Sequence, residues 1–220
     1  ELPEGLLRLE RDAFFGCTSL RGIIVIPASI QYMGDAVFER CTSLESVVFA
    51  PRTTNIELGL FMFRDCSDLR FVTLPPNLRL IPRGCFQGCT SLTHFHIPES
   101  VEEIEGDALY GSGLQSVTIS ENVRRIRWAA YENCAFLERV TIHSTNVTMP
   151  HNIFANCPLL SVIKIYQWMW PKVFASMKGQ PDFIFKFFRE YHTKIFDFET
   201  PKDVSVSASS TITKKQTKMI

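Results

Sequence analysis

The chain has 220 residues, 45% of them hydrophobic, and its 23 basic and 23 acidic side chains give a formal net charge of zero. That composition is normal for a globular protein, and the charge balance gives no reason to expect nucleic acid or an anionic membrane as the main partner. No apolar run approaches the roughly 18 residues that a membrane-spanning helix needs, so no membrane span is predicted.

One pattern recurs along the sequence, and its clearest copy lies between Arg83 and Ser100. An aromatic residue, a cysteine and a leucine follow each other at intervals of three, and an alternating segment ending in Ile-Pro comes next. Seven copies at a period near 23 residues, one of them shortened, predict a repeat array in the length range of leucine-rich repeats. The anchors are Phe14 with Cys17, Phe38 with Cys41, Phe63 with Cys66, Phe86 with Cys89, Leu109 with Ser112, Tyr131 with Cys134 and Phe154 with Cys157.

Each copy has the pattern of one coil of a solenoid. Alternating segments such as Val72-x-Leu74 and Val140-x-Ile142 have the period of a short strand with one face turned inward. A second apolar pair follows, and the coil then returns through a short helical or turn segment. No copy offers enough inward side chains to offset its own ordering entropy, so the copies must stack. We therefore predict an α/β repeat solenoid over residues 1–166, starting in the middle of a repeat.

Six of the seven cysteines occupy one repeat position and should form a ladder along the solenoid. Neighbouring strands lie ~4.8 Å apart with parallel side chains, whereas a disulfide needs Cβ atoms roughly 3.5–4.5 Å apart and turned toward each other. The six are predicted to be buried free thiols, and Cys85 a small packed core residue. Because buried free thiols suit a reducing compartment, the cytoplasm is favoured over the cell surface.

Charged positions alternate in sign between two adjacent copies. The same repeat positions hold Glu102, Glu103 and Glu105, and then Arg124, Arg125 and Arg127. Stacking should place these groups side by side as three ion pairs between neighbouring coils. The basic cluster therefore has acidic neighbours, and we predict that no nucleic acid binds there.

The repeat pattern stops after Ile165. Pro171 and Pro181 suit first helical positions, and the second segment carries an apolar stripe at helical spacing. The stripe consists of Ile184, Phe187, Phe188, Tyr191 and Ile195. Residues 167–198 are predicted to form a helical C-terminal cap over the last repeat, with a helix that docks a partner as the alternative. Residues 199–220 are rich in Ser, Thr and Lys and lack aromatic residues, which predicts a disordered tail.

The stretches GCTSLRGIIVIPASI and GCTSLTHFHIPESVEEI closely resemble the BspA-type leucine-rich repeat family. The resemblance covers roughly residues 1–165 and implies a right-handed leucine-rich-repeat solenoid with a parallel β-sheet on one side. Members are mostly of unassigned role, and some are cell-surface adhesins. The C-terminal ending is similar to that of algal, diatom-like members. The chain departs from the pattern by one extra residue between Leu20 and Pro27, a long linker from Ala50 to Leu60, and a deletion at Ser112-Gly113.

The sequence predicts no catalytic residue, no cofactor site and no metal site, so an enzyme is not expected. It contains no Gly-rich phosphate loop and no nucleophile elbow. His94 and His96 could be half of a zinc site, but a third ligand is not evident. The family carries no shared catalytic residues to transfer, and an enzyme that uses Cys85 is the weakest alternative.

The outward residues of the strands are the candidates for recognition. The candidate partner-binding residues are Ile24, Val48, Phe71, Thr73, His94, His96, Thr118, Arg139 and Thr141. Ile24, Val48 and Phe71 are apolar where water is expected, which is typical of a protein-binding face, although β-branched residues also simply suit strands. We predict a non-enzymatic module that binds a protein or peptide through its sheet. The alternative is a structural or adhesive surface spacer, which glycosylation of the sequon at Asn146 would favour.

Overall fold

The computed structural model describes residues 2–51, 53, 56–150, 153–166 and 195–199 of the chain. Within these ranges the chain forms short strands joined by turns, and no helix is present. The strands are β1 (Arg8–Leu9), β2 (Gly22–Ile26), β3 (Tyr32–Met33), β4 (Leu44–Phe49), β5 (Phe71–Thr73), β6 (Leu80–Ile81), β7 (Glu103–Ile104), β8 (Ser116–Ile119), β9 (Arg125–Ile126), β10 (Arg139–Ile142), β11 (Val162–Tyr166) and β12 (Ile195–Glu199).

The seven copies stack as seven rungs of a solenoid, numbered here from the N-terminus, as the repeat pattern predicts. The alternating segments form a parallel array in which β2, β4 and β5 pair in rungs 1 to 3, and β8, β10 and β11 pair in rungs 5 to 7. Equivalent repeat positions are in register, with Val117, Val140 and Ile163 as successive partners. The coils return through turns only, so no helical return occurs in the described residues.

A second row of two-residue strands runs beside the first, where β6, β7 and β9 pair in parallel. This row carries the predicted ion pairs between rungs. The pairs are Arg124 with Glu102 at 3.8 Å, Arg125 with Glu103 at 3.3 Å, and Arg127 with Glu103. The predicted pair of Arg127 with Glu105 is therefore wrong. Glu105 instead accepts a hydrogen bond from the backbone N–H of Arg83 at 2.8 Å.

The core lies between the two rows of strands and contains the anchor residues of rungs 2 to 7, all of them buried. All seven cysteines are free, and six of them are buried, including Cys85. Cys17 differs from the prediction because it is exposed. It belongs to rung 1, whose anchor Phe14 is likewise only partly buried.

The predicted C-terminal cap lies outside the described residues except for residues 195–198. These belong to β12, which pairs in parallel with β11. The helix prediction is therefore wrong for this stretch, whose sequence Ile-Phe-Asp-Phe alternates at the period of a strand. Glu199, predicted to begin the disordered tail, is the last residue of β12, and residues 200–220 lie outside the described residues. None of the described segments forms an apolar helix of membrane-spanning length.

Candidate functional site

The outward side chains of the parallel strands form one continuous surface, called the sheet face here. Two positions in each rung contribute to it, because alternate residues of a strand point to the same side. In order from rung 1 they are Ile23 and Val25, Ser46 and Val48, Phe71 and Thr73, His94 and His96, Ser116 and Thr118, Arg139 and Thr141, and Val162 and Lys164. Eight of the nine predicted recognition residues therefore lie on this face, and the exception is Ile24.

The prediction for rung 1 is wrong by one position. Ile24 is buried, with 7% of its surface exposed, whereas Ile23 and Val25 are 64% and 51% exposed. The cause is the extra residue after Leu20, which the chain absorbs as a register shift between Gly22 and Ile23. Gly22 has a φ of 77°, a conformation that glycine adopts without steric cost. Ile23 thereby aligns with Ser46, and the apolar end of the sheet face consists of Ile23 and Val25.

The sheet face changes character along the solenoid. Its N-terminal part is apolar, with Ile23, Val25 and a half-buried Val48 leading to Phe71, which is 52% exposed. Its C-terminal part is polar, because the next rungs contribute hydroxyl groups and the exposed guanidinium of Arg139. His94 and His96 are both exposed and lie between the two parts.

The sheet is interrupted at rung 4, where residues 94–97 would be expected to pair with β5 and β8. Within the described residues, no backbone hydrogen bond joins residues 94–97 to either neighbouring strand. The nearest link is the N–H of Gln115, which donates to the carbonyl of Thr93 at 3.2 Å. The alternation of burial persists, with His94 and His96 exposed and Ile97 buried. Rung 4 therefore keeps the side-chain alternation of a strand but lacks the backbone hydrogen bonds to the neighbouring strands.

Phe95 explains the interruption. The other rungs place Ile24, Val47, Val72, Val117, Val140 and Ile163 at its inward position, and all six of these side chains are buried. Phe95 is larger and remains only partly buried, with its ring 4.8 Å from that of Phe86 at a tilt of 59°. A close-packed core cannot absorb the extra volume without a backbone shift. We attribute the displacement of rung 4 to this ring.

A depression of about 450 Å³ lies over the interrupted rung. Phe71, Thr73, Ser116 and Thr118 line it from the two neighbouring strands, together with the residues of rung 4. The Thr93 hydroxyl lies 2.9 Å from Nδ1 of His94, which holds this imidazole in one orientation. The sequence alone did not predict this feature. Its only signal is a phenylalanine in a column of valines and isoleucines.

The buried cysteines pack in the core of the solenoid. In each of rungs 2 to 7 that has an anchor cysteine, its thiol donates a hydrogen bond to a backbone carbonyl of the preceding rung. The acceptor is the anchor residue that lies three positions before the cysteine position of that rung. The distances are 3.0 Å for Cys41 to Phe14, 3.0 Å for Cys66 to Phe38, 3.1 Å for Cys89 to Phe63, 3.3 Å for Cys134 to Leu109 and 3.2 Å for Cys157 to Tyr131. Burial raises the pKa of the Cys85 thiol well above its ordinary value, which keeps it protonated and a poor nucleophile.

Among the described residues, no group of three or more His, Cys, Asp and Glu side chains is placed to hold a metal ion.

Comparison with known proteins supports this architecture. The sequence matches the family model of the BspA type leucine rich repeat region in six copies, over residues 1–62 and 56–169. No curated protein matches the chain. A leucine rich repeat protein of T. pallidum has a similar solved structure, with a TM-score of 0.59 and 23% identity, covering 72% of this chain and 76% of that one.

Two other solved structures resemble the chain to a smaller extent. A leucine-rich repeat protein from Bacteroides ovatus has a TM-score of 0.42 and 17% identity, covering 72% of this chain and 58% of that one. A leucine rich cell surface protein from Faecalibacterium prausnitzii has a TM-score of 0.43 and 17% identity, covering 73% of this chain and 77% of that one.

Proposed function

Since the chain belongs to the BspA-type leucine-rich repeat family, we propose that it is a non-enzymatic interaction module that holds a protein or peptide against its sheet face. Leucine-rich repeat proteins are generally scaffolds for protein interaction or surface adhesion. The observation that carries the proposal is Phe71, a large apolar side chain that is 52% exposed beside His94 and His96 on the sheet face. Exposed aromatic residues in such a setting are enriched at protein-binding surfaces.

The apolar part of the sheet face supports the same conclusion. Ile23 and Val25 are more than half exposed, and Val25 aligns with Val48 of rung 2, which lies diagonally beside Phe71 of rung 3. Contiguous apolar surface is unfavourable in water and is typical of sites that a partner covers. Phe136, an exposed apolar residue elsewhere on the molecule, lies in a turn and not on the sheet face.

A pull-down from the native cell extract tests the proposal. The bait proteins are the parent, a variant with Phe71→Ser, His94→Ser and His96→Ser, and a control variant with Phe136→Ser. Phe136 is 55% exposed and lies in a turn outside the sheet face, so the control removes equal apolar exposure from another surface. We expect a discrete protein to be captured by the parent and the control and lost by the triple variant, with all three baits equally folded by circular dichroism. Capture of the same proteins by all three would overturn the proposal.

A structural or adhesive spacer is the second candidate. The observation that favours it is the sequon at Asn146, an exposed residue after the strand of rung 6. Glycans attach to such residues only in secreted proteins. Mass spectrometry of the native protein would therefore support the spacer if Asn146 carries a glycan, and would count against it if Asn146 is unmodified.

A further inference from the structure

The second row of strands is interrupted at rung 3. Within the described residues, β3 of rung 2 pairs only with β1, and β6 of rung 4 pairs only with β7. Residues 56–60 of rung 3 join neither strand, and no backbone hydrogen bond to another described residue involves residues 56–59. The second row therefore opens at rung 3, on the side of the core opposite the sheet face.

A depression of about 450 Å³ lies over this interruption and extends from rung 2 to rung 5. Gly34, Gly59 and Pro82 line it in rungs 2 to 4. Their repeat position carries the long side chains of Glu105 in rung 5 and Arg127 in rung 6. A Cβ atom at Gly59 would collide with the backbone carbonyl of Gly34, so no side chain fits there. The surface is concave because these three residues lack long side chains.

Large apolar side chains form part of the lining. Tyr32 and Leu80 lie on the two strands that flank the interruption and are 40% and 37% exposed. Leu60 of rung 3 is 39% exposed in the same depression. Exposed apolar surface that lines a concavity is typical of a site that a ligand covers. The depression therefore offers apolar contacts to a ligand.

The charged side chains of the lining are all acidic. They are Asp35, Glu57 and Glu105, and the lining contains no Lys, Arg or His. Within the described residues none of the three forms an ion pair. Asp35 accepts a hydrogen bond from the N–H of Leu60 at 2.8 Å, Glu105 accepts one from the N–H of Arg83, and Glu57 is exposed. The depression therefore carries three negative charges that no cation of its own lining offsets.

Two arginines that contact lining residues have partners elsewhere. The guanidinium of Arg8 lies 4.1 Å from the centre of the Tyr32 ring and pairs with Glu10 at 2.7 Å. That of Arg83 pairs with Asp107 at 3.5 Å. The contact of Arg8 also shows that the Tyr32 ring accepts a guanidinium. Since no group of described carboxylates is placed to hold a metal ion, the charge complementarity is to separate cations along the depression.

We propose that the depression over rung 3 binds an extended segment of a protein partner that presents two cationic side chains on either side of an apolar one. Asp35 in rung 2 and Glu105 in rung 5 lie three rungs apart, which is roughly 14 Å at the spacing of parallel strands. Alternate residues of an extended peptide point to one side, and residues four apart are separated by about 13 Å. A segment Arg-x-Leu-x-Arg therefore presents its guanidinium groups to the two ends of the depression and its leucine to the apolar lining, with Glu57 between.

Three synthetic peptides test the proposal on the full chain. The first is a dye-labelled, terminally blocked Gly-Arg-Ser-Leu-Ser-Arg-Gly, the second has glutamine in place of both arginines, and the third has serine in place of the leucine. Fluorescence anisotropy is measured at low salt, where charge interactions are least screened, and with a chelator present. Because hydrogen bonds between charged partners are the stronger ones, we expect the first peptide to bind at least about tenfold more tightly than the second. It should bind about fivefold or more tightly than the third, since the leucine is removed from water.

A variant of the lining and a charge-matched control locate the site. Asp35→Asn with Glu57→Gln and Glu105→Gln removes the three charges but keeps the side-chain oxygens that accept the backbone N–H groups. It should weaken binding of the first peptide about tenfold or more. The control removes three exposed carboxylates outside the lining, none of which is in an ion pair within the described residues. Its substitutions are Glu45→Gln, Glu121→Gln and Glu138→Gln, and it should leave the affinity unchanged.

The outcomes separate this proposal from the one for the sheet face. Equal binding of the first two peptides, binding of none of the three, or equal weakening in the lining variant and its control would each overturn it. Equal binding of the first and third peptides would also overturn it, because the apolar lining would then not contribute. The variant with Phe71→Ser, His94→Ser and His96→Ser should bind the first peptide as the parent does, and loss of binding there would place the peptide on the sheet face instead. Circular dichroism confirms that every variant is folded.

Discussion

At the scale of single residues, each of rungs 1 to 6 turns at a left-handed backbone position two residues before its anchor. The residues there are Asp12, Ala36, Phe61, Gly84, Asp107 and Ala129, with φ between 54° and 60°. Phe61 is the unexpected member, since a bulky side chain rarely adopts this conformation. Its ring is flanked by the guanidinium groups of Arg64 and Arg83, at 5.0 and 5.8 Å from the ring centre. Two cation–π contacts offset part of the backbone strain.

Gly84 provides the space for the Phe61 ring, and its replacement should be costly. A Cβ atom at Gly84 would lie 2.3 Å from the ring, whereas a Cβ atom at Gly111 would meet nothing within 4 Å. The φ angles of the two glycines are similar, 60° at Gly84 and 64° at Gly111, so an alanine strains the backbone similarly at each site. We expect Gly84→Ala to lower the free energy of unfolding by roughly 1–3 kcal/mol more than Gly111→Ala, measured by urea denaturation.

A double variant identifies the cause of that difference. In a Phe61→Ala background the colliding ring is gone, so Gly84→Ala should cost no more than Gly111→Ala in the same background. An excess cost that persists without the ring would show that another contact at Gly84 is responsible.

At the scale of elements, two side chains change size around rung 4. Phe95 is larger than its counterparts in the other rungs, and Leu109 of rung 5 is smaller than the aromatic anchors before it. Stacked rings run from Phe14 through Phe38 and Phe63 to Phe86 at centroid distances of 5.3, 5.6 and 5.4 Å. Rung 5 then has Leu109 where a further ring would lie, and Phe95 places its ring on Phe86 instead. The larger side chain at position 95 therefore accompanies a smaller anchor in the next rung, and the strand of rung 4 moves out of the ladder.

Hydrogen exchange tests this account of rung 4. The amides of residues 94–97 should exchange much faster than those of β10, which pair on both sides, because unpaired amides need no opening before they exchange. Phe95→Val restores the side chain size of the other rungs, and we expect it to slow exchange at residues 94–97 toward the rates of β10. Equal protection of the two segments in the parent would contradict the interruption.

The sequence predicts elements better than it predicts their exact register and pairing. The period of two correctly placed the strands of rungs 2, 3 and 5 to 7, because periodicity directly reflects which side chains face the core. It placed Ile24 on the wrong side, since counting showed an extra residue but not that Gly22 would absorb it. It also gave no warning at Phe95, because a pattern of apolar and polar residues carries no information on side chain volume.

At the scale of the whole molecule, the buried thiols run through the stack and link its stability to pH. The thiols of Cys41, Cys66, Cys85 and Cys89 are completely buried, and burial raises the pKa of each above its ordinary value of 9.0. Above pH 9 the unfolded chain therefore loses these protons while the folded chain retains them. The folded state then binds more protons, so its stability is intact below pH 9 and falls as the pH rises further.

The expected loss is large enough to measure. Each such thiol contributes at most about 1.4 kcal/mol per pH unit, so the four together should lower the free energy of unfolding by up to about 5 kcal/mol per unit once the unfolded thiols have ionised. Urea denaturation in the presence of a reductant, repeated at several pH values, gives this slope. Cys85→Ala should reduce the slope by about one quarter, because it removes one of the four protons, whereas Cys17→Ala should leave it unchanged, because Cys17 is exposed. Identical slopes for the parent and Cys85→Ala would show that Cys85 titrates as freely in the folded chain as in the unfolded one, and would contradict its burial in the stack.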